Sequence, residues 1–74
     1  MNLEELFASV LNVPAETLSD DSCPATVRAW NSLGHLKLIS AMEEIFGIAF
    51  SSAEIRGLKT LGGARALLQA KGAL

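Results

Sequence analysis

Apolar positions recur every three or four residues over much of this chain, the spacing that gives a helix one buried face. Leu3, Leu6, Phe7, Val10 and Leu11 form the first such stripe, and Asn2 with Glu5 is placed as a capping pair at its start. Asn12-Val13-Pro14 ends it. From Ala15 to Asn31 the pattern dissolves into Ser, Asp, Thr and Pro with no sustained period. This stretch reads as a long ordered loop pinned by Leu18, Val27 and Trp30. Loops of that length within a small domain commonly carry function.

Helical spacing returns from about Ser32 to Phe46, and Gly47 is placed to stop it in the left-handed cap conformation. On a helical wheel His35, Ile39, Met42 and Phe46 make one stripe, widened by Leu38 and Ile45. That stripe is expected to pack on the first and last helices, each large side chain contributing about 1.5–3 kcal/mol if fully buried. Leu33, Lys37, Ser40 and Glu44 lie on the opposite side, with Leu36 and Glu43 between the faces. Ile48 and Phe50 anchor the next connection. Ser51 and Glu54 read as a second capping pair, opening a short helix through about Leu58. Thr60 can cap a last helix from Leu61 to about Lys71, with Leu61, Ala64, Leu67 and Leu68 inward. Gly62 and Gly63 weaken its first turn by about 1 kcal/mol each relative to Ala, which implies either close packing or a loose start.

Composition agrees with this reading. The chain has 74 residues, the size of one domain, and half of them are hydrophobic, enough for a packed core. Leu and Ala dominate and Tyr is absent, so residues 1–74 are expected to form a single all-α domain, a small four-helix bundle. The net charge of −2 lacks the clustered cations that nucleic acid would require, which sets aside a small helix-turn-helix DNA binder. It would suit basic protein surfaces, though weakly. With Cys23 alone there is no internal disulfide and no thiolate metal cluster, and no metal site is expected. No apolar run approaches the roughly 20 residues that cross a bilayer, and the acidic start does not look like a signal peptide. A cytoplasmic monomer with no membrane partner is the expectation.

Candidate chemistry centres on Trp30-Asn31-Ser32-Leu33-Gly34-His35-Leu36, where the loop gives way to the second helix. A serine at a helix start ordinarily caps it, its oxygen accepting from an unpaired N–H. The flanking residues raise a second reading, that Ser32 carries a covalent group. Leu33 and Leu36 beside it read either as a docking patch or as ordinary exposed leucines. His35 could act as a base, but it is better read as a partly buried ring hydrogen-bonded to the loop. No further catalytic partner is visible, so an enzyme built on Ser32 and His35 has poor support, and no catalytic residue is assigned. Trp30 reads as a hydrophobic pin for the loop. Cys23 reads as an incidental thiol, with nothing basic beside it to lower its pKa.

These residues carry a resemblance. The chain is similar to the acyl carrier proteins, the phosphopantetheine-binding four-helix domains of fatty-acid and polyketide synthesis. The likeness spans the first amphipathic helix, the long loop and the Asn31-Ser32-Leu33 core. It continues through Leu38-Ile39, Met42-Glu43-Glu44, Phe46-Gly47-Ile48, Phe50, the short third helix and Leu58-Lys59-Thr60-Leu61. Trp30 and His35 resemble the flanks of stand-alone carriers of specialised-metabolite and polysaccharide-precursor pathways. The resemblance implies that a phosphopantetheinyl transferase, using coenzyme A and magnesium, joins 4'-phosphopantetheine to the Ser32 hydroxyl. The arm's thiol would then hold acyl or aminoacyl groups as thioesters. These would be loaded by a ligase or transferase and passed to downstream synthase enzymes. Asn31 and Leu33 flank the attachment point. Leu33, Leu36, Lys37, Ser40 and Glu44 match partner-facing positions. Leu38, Ile39, Met42, Phe46, Phe50, Leu58 and Leu61 match positions that line the core and, in some members, an acyl pocket. Bulky Met42, Phe46 and Phe50 imply a small pocket or none.

Two departures stand out. The family's usual Asp before the serine is Asn31 here, which keeps shape and hydrogen bonding but loses a charge that helps the transferase organise its metal. Helix two also carries Lys37 and Ile45 where the family favours acids. Asn31 therefore leaves open an alternative, a helical adaptor module that keeps the carrier fold without the arm.

Overall fold

The computed structural model describes residues 2–74. Four α-helices make up the described chain: α1 (Leu3–Leu11), α2 (Ser32–Phe46), α3 (Ser52–Gly57) and α4 (Leu61–Ala70). A short 3-10 turn, Ala15–Thr17, follows α1. No strand occurs among the described residues, and the architecture is an all-α bundle of the acyl-carrier type.

Each helix is delimited by local chemistry. Asn2 and Glu5 form a reciprocal capping box on α1, and Asn12 closes it in the left-handed conformation. Ser51 and Glu54 do the same for α3. Gly47, at φ 65°, ends α2, a conformation a Cβ would disfavour. The Thr60 hydroxyl caps α4 by accepting from Gly63 N–H at 2.9 Å.

The core gathers Leu3, Leu6, Phe7 and Leu11 of α1 with Leu38, Ile39 and Met42 of α2 and Leu61, Ala64 and Leu68 of α4. Leu18, Trp30, Phe50 and Leu58 close it from the connections. Phe46 and Leu67 are half-buried at its margin. Leu11 packs on Gly34 at the start of α2, so α1 and α2 run antiparallel. Nine residues of α1 cover about 13.5 Å, which reaches from Gly34 only to about Met42. The last turn of α2 therefore extends past its partner. That is why Ile45, expected on the inner stripe, is instead 54% exposed.

The long loop is ordered because it docks on α4. Ser22 O accepts from Leu61 N–H at 3.0 Å and Asp20 O from Gly62 N–H at 2.9 Å, satisfying amides that a helix start leaves unpaired. A Cβ on Gly62 would meet Asp20 Cβ at 2.9 Å, so this glycine serves close packing. Arg65 of α4 then bridges Glu4 of α1 and Asp20 of the loop. Buried Ser22 is satisfied as well, its Oγ accepting from Ser19 N–H.

Candidate functional site

At the loop-to-helix junction the capping role belongs to Asn31, not to Ser32. Asn31 has extended backbone, and its Oδ1 accepts from Gly34 N–H at 2.9 Å. Ser32 is the first residue inside α2, where a side chain points outward rather than back over the helix end. Its hydroxyl is exposed and makes no hydrogen bond among the described residues, and the Ser32 and Leu33 amides are free at the same helix end. The expectation that a serine there caps the helix is corrected by one position. The asparagine takes the cap and frees the serine.

Gly34 makes this geometry possible. Its α-carbon lies so near the loop that a Cβ would come within 2.2 Å of Ala29 O and 3.2 Å of Leu11 Cδ2. The loop can therefore turn into α2 with Trp30 inside and Ser32 outside. Gly34 has a signal in the sequence, a glycine in the first turn of an otherwise good helix, and its role follows from contacts with residues far from any local pattern.

Trp30 is 1% exposed and sits edge-on to Phe7, with ring centroids 5.3 Å apart. Its indole N–H donates to His35 Nδ1 at 2.9 Å, and the two rings lie side by side with their planes 17° apart. An indole nitrogen only donates, so His35 Nδ1 must be the unprotonated nitrogen. Nε2 then carries the proton and donates to Ile55 O of α3 at 2.8 Å. Both ring nitrogens are engaged, which leaves His35 without a lone pair for the Ser32 hydroxyl. Its partners are the loop, as expected, and also the α3 backbone.

Between α2 and the α3–α4 segment an open groove of about 770 Å³ runs beside Ser32. Trp30, Asn31, Ser32, His35 and Leu36 line one side, with Ile55, Arg56, Leu58 and Lys59 facing them and Pro24 at the end. No acidic residue lines it, and neither Arg56 nor Lys59 forms an ion pair among the described residues. Nothing in the local sequence pattern marks Ile55, Arg56 or Lys59 as site residues. They reach the groove through tertiary packing alone.

The remaining sequence candidates fall on two surfaces. Leu33 and Leu36 are 61% and 57% exposed, and Lys37, Ser40 and Glu44 are exposed with them along α2. Leu38, Ile39, Met42, Phe50, Leu58 and Leu61 are buried in the core, and only Leu58 also lines the groove. Glu43 turns back to accept from Phe50 N–H at 2.9 Å, tying down the connection after α2.

Cys23 has no base beside it, yet its thiol is held below its ordinary pKa. The Thr26 hydroxyl is the main cause, helped by the Thr26 and Ala25 amides of the same turn. The expectation that nothing lowers it counts charges and misses these donors. Among the described residues no group of three or more His, Cys, Asp or Glu side chains could hold a metal, and no helix is long and apolar enough to cross a membrane.

No protein-family profile matches the chain. Over 60 residues, 81% of its length, the chain is 27% identical to a protein of Saccharopolyspora erythraea named acyl carrier protein. The match spans 63% of that relative's length. The chain is thus similar to the acyl carrier proteins, in line with its junction and helix pattern.

Proposed function

We propose that this chain is a carrier, not a catalyst, and that Ser32 bears a 4'-phosphopantetheine arm. The observation that carries this reading is the released hydroxyl. Asn31 does the capping, so Ser32 stands exposed and unbonded at the first position of α2. The surroundings fit the group. A phosphodiester on Oγ would lie at the positive end of the α2 dipole, beside the free Ser32 and Leu33 amides. Across the groove, Arg56 and Lys59 are the charged residues, and no carboxylate opposes the phosphate there. When bound, the arm supplies a thiol that holds acyl or aminoacyl groups as thioesters.

The chain's own residues do the rest. Attachment requires the Ser32 hydroxyl to lose its proton, and with both His35 nitrogens engaged that base must come from the transferase. Leu33 and Leu36 offer an apolar contact next to the attachment point, flanked by Lys37, Ser40 and Glu44, which suits docking of successive partner enzymes. Tethering then raises the effective concentration of cargo at each partner. The similarity to a named acyl carrier protein supports the same reading, which carries with it a cytoplasmic setting alongside biosynthetic enzymes.

Asn31 bears on the alternative of an armless adaptor. Asn and Asp cap helices about equally well, so the fold does not need a carboxylate here. What the amide lacks is charge for the transferase's metal. The test is the intact mass of the protein after incubation with coenzyme A, magnesium and a broad-specificity phosphopantetheinyl transferase, with Ser32→Ala as control. A gain of one phosphopantetheine that the control lacks is the expected result. No gain, repeated with the source organism's own transferase, favours the adaptor.

A further inference from the structure

The net charge of −2 conceals an uneven distribution. Of the six Lys and Arg residues, two are neutralised within the fold, Arg65 by Glu4 and Asp20 and Lys71 by Glu54 of α3. The other four, Arg28, Lys37, Arg56 and Lys59, are exposed and form no ion pair among the described residues. All four stand around the junction that presents Ser32. Arg56 and Lys59 line the groove with it, and Arg28 lines a second hollow on the α1 side of Asn31. Lys37 follows Leu33 by one helical turn on the exposed face of α2.

No carboxylate lines either hollow, and the first turn of α2 holds none. The acids of α2, Glu43 and Glu44, come about 16–18 Å beyond Ser32 along the helix axis, and Glu43 is turned back onto the Phe50 amide. That separation is about twice the screening length at physiological salt, roughly 8 Å, so they do little to cancel the field at Ser32. The phosphodiester of an attached arm brings a single negative charge, too little to balance four cations. Exposed Leu33 and Leu36 lie among those cations. An apolar centre with a charged rim is the composition of a protein–protein contact. A nucleic acid would use the cations but leave the leucines without an apolar partner, and a membrane surface calls for a broader apolar face than two leucines.

We propose that the enzyme docking over Ser32 meets this chain with an acidic rim around an apolar contact. Arg28, Lys37, Arg56 and Lys59 face its carboxylates, while Leu33 and Leu36 enter the apolar centre. This reverses the basic partner that the net charge alone favours. It rests on the carrier reading, because the transferase that modifies Ser32 must approach across this face. Attraction between opposite charges at a contact rim acts on encounter more than on chemistry, and salt weakens it.

The test follows the mass gain of the wild-type chain with coenzyme A, magnesium and the source organism's own phosphopantetheinyl transferase. No gain at any salt concentration removes the carrier reading and this inference with it. Once the chain is modified, the charge pattern decides the inference alone. With coenzyme A and magnesium saturating, kcat/KM for the wild-type chain should fall severalfold between about 20 and about 300 mM salt. The double variant Arg56→Glu, Lys59→Glu should lower it about tenfold at low salt, chiefly through KM, and lose most of the salt dependence. Lys37→Glu should act in the same direction, and Arg56→Lys should keep the wild-type rate. Gln69→Glu, exposed near the far end of α4, is the control for added negative charge and should change nothing. A double variant modified as fast as wild type, or faster, would overturn the proposal. So would co-sedimentation of the unmodified chain with phosphatidylserine–phosphatidylcholine vesicles, which would assign the face to a membrane, or salt-sensitive retention on DNA. The wild-type salt series decides even if the variants fail to fold, since a rate that holds or rises with salt overturns the acidic partner.

Discussion

Replacing Gly34 by Ala separates two physical effects of opposite sign. Helix propensity alone favours the change by about 1 kcal/mol, since glycine inside a helix is costly. Packing opposes it. The new Cβ would sit 2.2 Å from Ala29 O, about 1.2 Å inside ordinary contact, and the obstacle is backbone that no rotamer change can move aside. Overpacking of this kind costs about 1–3 kcal/mol. The relief available is to push the loop away from α2, which displaces Trp30 and Asn31, the next residues along the chain. Loss of the Asn31 cap adds about 1 kcal/mol. Packing and cap together outweigh propensity, and the expected net loss is about 2 kcal/mol, or roughly 8–16 °C in Tm for a domain of this size. Gly57→Ala is the control. Nothing lies within 4 Å of where its Cβ would stand, so it should gain about 0.4–1 kcal/mol by restricting the unfolded chain. Thermal and urea unfolding followed by far-UV circular dichroism reads both. A Gly34→Ala protein as stable as wild type, or more so, would refute the close approach of loop and helix. With it would fall the account of how Ser32 comes to face outward.

Asn31→Ala should cost about 1 kcal/mol of stability and Asn31→Asp almost none, because only the cap is at stake in folding. In a timed mass assay Asn31→Asp should be modified faster than wild type, since it restores a charge for the transferase's metal without altering the fold. Leu36→Asp should leave the unfolding free energy from urea titration within about 0.5 kcal/mol of wild type while slowing turnover by partner enzymes that act on the loaded carrier. The Glu54 carboxyl is held below its ordinary pKa of 4.5, first by the Ser51 amide and then by Lys71. A depressed acid stabilises the fold above its unfolded pKa and loses that contribution as pH falls through the lower folded value. Stability measured below about pH 4.5 should therefore fall less steeply in Glu54→Gln than in wild type, and a parallel fall would show that the pair contributes nothing.

What the sequence makes legible is governed by reach along the chain. The Asn2–Glu5 and Ser51–Glu54 boxes, the Thr60 cap and the Gly47 stop each involve residues within one helical turn, and all four are readable from local spacing alone. The inward stripes of α1 and α4 follow from periodicity in the same way. The exposure of Ile45 does not, because it depends on how far α1 extends along α2, a property of a different segment. The cap at α2 is ambiguous in sequence since Asn31 and Ser32 are adjacent and both able to cap. Backbone conformation decides between them, and it is set by Gly34 against Ala29. Half of the groove is likewise invisible in sequence, for Ile55, Arg56 and Lys59 face Ser32 only through the fold.

The distribution of anchoring within the bundle bears on its use. The first helix, the loop and α4 are held by buried leucines, by loop carbonyls on the α4 amides and by Arg65 between Glu4 and Asp20. Those ties involve no residue of the Ser32 groove. The wall that faces Ser32, α3, has no fully buried residue and is held by two polar tethers, by half-buried Ile55 and by Leu58 just after it. Local opening should therefore be cheapest beside Ser32 and most costly where the helix bearing Ser32 is seated on α1. A carrier that visits several enzymes needs this division. Its attachment helix must present the same face to each partner, while the wall beside the arm can yield without unfolding the rest.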